Sequence, residues 1–162
     1  MKDFTKYVLL GAVFVLLIFL FIFESKTGSE NINDLSEIIT QQSTCIPQQH
    51  VCKAGSDKFT AEIKFDNNIS YLKPFNITVK TQEKENQYIK SIHINFKMKS
   101  MDMGVNRFNL SNKERVGKNT SWEGNALLPV CVTGRVDWFS EVEIVTGNQK
   151  YIFSFPMDVK KN

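Results

Sequence analysis

From Asp57 onward apolar and polar residues alternate with a period of two. That pattern restricts the chain to half-buried strands, because successive side chains of a strand point to opposite faces. Phe59, Ala61, Ile63 and Phe65 alternate with Lys58, Thr60, Glu62 and Lys64. Phe75, Ile77 and Val79 alternate with Asn76, Thr78 and Lys80, and Ile92, Ile94, Phe96 and Met98 with Ser91, His93, Asn95 and Lys97. Val142 and Ile144 follow the same rule, as do Tyr151, Phe153 and Phe155. Turn residues separate the runs: DNN at 66–68, Pro74, EKEN at 83–86, Gly117-Lys118-Asn119, and Gly147-Asn148, a tight hairpin signal. About seven short strands at this spacing predict an all-β fold, an immunoglobulin-like antiparallel β-sandwich over residues 57–162. Trp138, in register with Val136, Val142 and Ile144, is expected in its core, and Trp122 beneath the strand towards Leu127.

The amino-terminal part is of another kind. Residues 7–23 read YVLLGAVFVLLIFLFIF without a charge, and a helix of about 20 apolar residues crosses a bilayer. Phe4, Thr5 and the stem of Lys6 extend this span by snorkelling. A cleaved secretion signal is the competing reading, but the following ESKTGSE has no small-x-small site. The expectation is an uncleaved signal anchor with a cytoplasmic segment 1–6, since Lys2 and Lys6 precede the span. Residues 24–56, rich in Ser, Thr, Asn, Gln and Glu, read as a polar stalk, with a helical turn or two around Asn33–Ile39.

The net charge of +3 is scattered, whereas a nucleic-acid surface needs a concentrated basic stripe. No nucleic-acid partner is expected. The sequence carries no nucleophile elbow, phosphate loop or HExxH motif, and its carboxylates are dispersed among lysines. An enzyme is not expected.

Three cysteines remain to be placed. Cys45 and Cys52 close a short loop and form the favoured disulfide, although pairing of either with Cys131 stays open. Cys131, in LPVCVTG, is then a buried small hydrophobe or a thiolate ligand. His50 lies between the paired cysteines, in a spacing that fits no common zinc pattern.

The stretch MKSMDMGVNRF holds Met98, Met101 and Met103. Met98 belongs to the core run from Ile92, and a turn or bulge at 99–100 shifts the parity so that Met101 and Met103 share a face. Gly104 then permits a sharp exit or a close backbone approach. Thioethers and thiolates select Cu(I) over hard cations, so Met101 and Met103, with Cys131, form a candidate copper(I) ligand set; core packing is the alternative. Arg107 and Arg135 stand out among lysines. Arg135 neighbours Asp137 in TGRVDW, which suggests a clamp of Arg107, Arg135 and Asp137 holding the MDMG segment against LPVCVTG.

The segments MKSMDMGVNRF and WEGNALLPVCVTGRVDW, followed by a final hairpin, resemble a family of proteobacterial membrane-anchored proteins. More distantly they resemble the YtkA-like and FixH-like immunoglobulin-type domains of bacterial envelopes. The matching residues are Met101, Met103 and Gly104, then Trp122 and Gly124, then Gly134 and Trp138. The resemblance implies a single-pass protein of the bacterial inner membrane with its carboxy-terminal domain in the periplasm. It also implies an accessory role in copper handling or respiratory oxidase assembly, with an oxidase subunit or a copper chaperone as partner. A protein-interaction module of the envelope without metal is the alternative.

Overall fold

In the computed structural model the structure describes residues 37–84, 88–101, 103–130 and 134–160, all within one compact unit, Leu35–Asn162. Nine strands are found among them: β1 (Glu37–Gln42), β2 (Cys52–Gly55), β3 (Phe59–Phe65), β4 (Phe75–Glu83), β5 (Ile89–Met98), β6 (Arg107–Val116), β7 (Asn119–Ala126), β8 (Trp138–Thr146) and β9 (Gln149–Pro156). They form one sheet in the order β1-β9-β8-β5-β6-β7-β4-β3-β2. All neighbours are antiparallel except β1, which runs parallel to β9, so the sheet is mixed. The expected all-β class holds. No helix is present among the described residues, and none there is long and apolar enough to cross a membrane. The span expected at 7–23 and the cytoplasmic segment lie outside them.

The alternation read from the sequence is the burial pattern of the central strands. Phe59, Ala61, Ile63 and Phe65 of β3 are buried, as are Phe75, Ile77 and Val79 of β4 and Ile92, Ile94, Phe96 and Met98 of β5. The sheet curls so that these inward faces meet. Phe59 packs edge-on against Tyr151 of β9, with ring centres 5.1 Å apart, and Phe75 against Phe96 at 5.6 Å. Both tryptophans join this core and satisfy their indole N–H groups: Trp122 donates to the Thr81 hydroxyl at 3.0 Å and Trp138 to the Tyr71 hydroxyl at 3.2 Å.

The curl is made by β6. Its first residues pair with β5 as far as Leu110, and from Ser111 it pairs with β7 instead. Gly124 on β7 faces this crossover. A Cβ there would lie 2.6 Å from Leu110 Cδ2 and 3.0 Å from the Asn109 carbonyl oxygen, so glycine allows the strands to approach.

The sheet also begins earlier than the composition suggests. Residues 37–42 and 52–55, inside the polar stretch read as a stalk, are its two outermost strands, and 37–39, read as part of a helical turn, belong to β1. β1 is exposed on both faces apart from the partly buried Ile39, so this edge strand is held by main-chain pairing with Gln149–Ser154 more than by burial.

Candidate site at the methionine turn

Three loops meet at one end of the sheet: 66–74 between β3 and β4, 99–106 between β5 and β6, and 127–137 between β7 and β8. Tyr71 pairs with Leu128, and its hydroxyl donates to the Arg135 carbonyl at 2.5 Å. The Arg135 guanidinium in turn donates from Nη2 to the Lys99 carbonyl at 2.9 Å. These contacts tie each loop to the next.

Met98 ends β5 and is 2% exposed. The chain then reverses through Lys99 and Ser100, the latter with φ 59, and the Met101 amide donates back to the Met98 carbonyl at 3.3 Å. The turn expected at 99–100 is there. Its effect on direction was less legible: because the turn is a reversal, Met101 lies directly across from Met98 as an antiparallel partner, and such partners project from the same face of the ribbon. Met101 and Met103 are both partly buried and both pack against the core. Gly104 has φ 67 and no atom within 4 Å of where a Cβ would sit. Its left-handed backbone is the conformation that the expected sharp exit uses.

Arg135 and Asp137 form the bidentate pair the sequence suggested. Nε donates to Oδ1 at 2.9 Å, and Nη2 donates to Oδ2. Between them the chain turns tightly, the Trp138 amide donating to the Val136 carbonyl at 2.9 Å. The guanidinium bonded to Asp137 holds its carboxyl below the usual carboxylate range.

Arg107 does not join this clamp. It pairs with Glu143 at 3.0 Å on the outer face of the sheet, where Lys150 approaches the same carboxylate at 3.4 Å and Asn95 donates to it. The reason is register: Arg107 pairs with Asn95, which sits on β5 beside the β8 segment Glu141–Glu143. Tyr71 and the Lys99 carbonyl are the members of the clamp that sequence reasoning missed. A main-chain acceptor 36 residues away leaves no compositional signal.

Cys45 and Cys52 are disulfide-bonded, with Cα atoms 5.7 Å apart. The loop they close is anchored by the Pro47 carbonyl, which accepts from the Phe65 amide at 3.1 Å, and by Gln48, whose side-chain amide donates to the Asp158 carbonyl at 3.2 Å. His50 is exposed on this loop. Cys131, the third candidate ligand, lies outside the described residues. Among those residues no three His, Cys, Asp or Glu side chains come together as a metal site, a donor class that does not include thioethers. His93 is engaged by Asn109 at 2.6 Å and by Ser91 at 3.1 Å. No protein-family model, no curated protein and no solved structure matches the chain.

Proposed function

We propose that this protein is a membrane-tethered accessory module of the bacterial periplasm, working in copper handling or respiratory oxidase assembly, in which sulfurs of Met101, Met103 and Cys131 hold Cu(I). The observation that carries the reading is the half-buried state of both thioethers at a turn fixed by Arg135. Thioethers select Cu(I) over hard hydrated cations, an apolar surrounding adds to that preference, and the partial exposure of this pair gives an ion its way in. The curled sheet, with aromatic contacts between its two halves, is read as an immunoglobulin-like sandwich behind the amino-terminal anchor, and an oxidase subunit or copper chaperone is the partner. The test is a Cu(I) titration of the full chain in detergent against a chromophoric chelator. The double change Met101→Leu and Met103→Leu should weaken binding by at least about tenfold, and unchanged affinity would remove the site.

A second reading has its own observation. Leu72 is 60% exposed and Val105 96% exposed, on two of the loops that meet at this end. Apolar side chains there suit a module that docks a protein partner without metal. A cross-linked partner retained under copper chelation would favour it over the first reading.

A further inference from the structure

The sheet register assigns the methionines differently from the sequence spacing. Met101 stands across the turn from Met98, and Met98 is paired on its other side with Trp138 of β8. The Trp138 carbonyl accepts the Met157 amide at 3.0 Å, which continues the Phe139–Pro156 pairing by one step. Met101, Met98, Trp138 and Met157 therefore form one row across the end of the sheet. Met98 is 2% exposed, Trp138 2% and Met157 7%, so these three point inward, and Met101 covers the outer end of the row.

Two features single out the Met98 end. Directly opposed antiparallel residues hold their Cβ atoms about 5 Å apart, a separation that two flexible thioether side chains can close onto one ion. Met98 and Met157, by contrast, are separated by the strand that carries Trp138. The turn is also held in a set shape: Ser100 keeps a left-handed backbone that a non-glycine residue adopts only when its surroundings hold it there, and Arg135 bonds the carbonyl of the preceding Lys99.

Resting on the copper reading above, we propose that Met98 is itself a ligand, so that the Cu(I) donor set includes the facing pair Met98 and Met101, with Met103 two residues further on. Three thioethers satisfy a soft monovalent cation without charge. Ag(I), of the same charge and softness, should occupy the same site.

The experiment uses the full chain in detergent with 13C-labelled methionine methyls. Ag(I) addition should shift the Met98, Met101 and Met103 methyl signals and leave that of Met157 in place. In chelator competition Met98→Leu, which conserves volume, should lose at least about tenfold in Cu(I) affinity, while Met157→Leu stays within about twofold. Should Met98→Leu fail to fold, the labelled wild-type spectrum decides alone. A wild type that binds with its Met98 methyl unmoved, or a Met98→Leu variant with full affinity, overturns this assignment and leaves the Met101 and Met103 reading standing. A wild type that takes up neither Cu(I) nor Ag(I) overturns both.

Discussion

Arg135 holds the carbonyl of Lys99 at 2.9 Å from across the end of the sheet, so a loop between β7 and β8 fixes a turn that begins where β5 stops. Removing that donor should loosen the turn without unfolding the sheet. In Arg135→Gln the Met101 amide, bonded only to Met98 at 3.3 Å within the turn, should exchange with solvent several-fold faster, while the amides of β4 and β8 keep their protection. Unchanged exchange at Met101 would show that the clamp does not govern the turn.

Asp137 gives the same clamp a pH dependence. Its carboxyl is held below the ordinary range chiefly by the hydrogen bond from Arg135. A group with a depressed folded value contributes above its unfolded value of about 3.9 and loses that contribution as pH falls through the folded one. Faster exchange at Met101 should therefore set in only below about pH 4. A carboxyl-detected NMR titration should place Asp137 below the ordinary aspartate value of about 3.9, and Arg135→Gln should raise it towards that value. Equal midpoints with and without the arginine would separate Asp137 from the clamp.

How far the sequence carried the fold depends on what makes each strand. β3, β4, β5 and the β8–β9 hairpin bury one face, so their period of two is written in apolar residues. β6 was not legible. RFNLSNKERV buries Leu110 and half-buries Phe108 against Phe96, and from Ser111, where it has crossed to β7, its residues are exposed. β1 and β2 escaped for a related reason, being short edges held by main-chain pairing. At the site, the Arg135–Asp137 pair was legible because the two residues stand two apart in the sequence, so their meeting needs no tertiary information. The placement of Arg107 beside Glu143, and of Met101 opposite Met98, depends on register and on the direction of a turn, which spacing does not encode.

The disulfide lies between the ends of the sheet. Cys45 follows β1 and Cys52 opens β2, the two outermost strands, so the bridge fastens one edge to the other where no strand pairing does. Loop-closure arithmetic gives about 2–3 kcal/mol for a loop this short. The change Cys45→Ala with Cys52→Ala should lower the unfolding free energy by about that amount, read by urea denaturation on the fluorescence of Trp122 and Trp138, both buried in the core. Reduction of the wild type should give the same shift, and coincident curves would mean that the remaining contacts of the loop suffice.

Gly124 is where the curl of the sheet is most exposed to a single methyl group. Of the two atoms a Cβ would crowd, Leu110 Cδ2 at 2.6 Å belongs to a side chain that can turn aside, but the Asn109 oxygen at 3.0 Å is backbone. That backbone belongs to the stretch of β6 that is leaving β5 for β7, and it cannot withdraw without breaking the Leu110–Ile92 or Ser111–Glu123 pairing. Gly124→Ala should therefore cost about 1–3 kcal/mol, as overpacking of a fitted contact does. Gly124→Val should cost more, although valine is the better strand former. The companion change Leu110→Ala separates the two sources of crowding: it should recover little of the Gly124→Ala loss if the Asn109 carbonyl is the obstacle, and most of it if the leucine is. A Gly124→Ala protein as stable as wild type would mean that the crossover has slack, and that glycine is not what allows β6 to pass so close to β7.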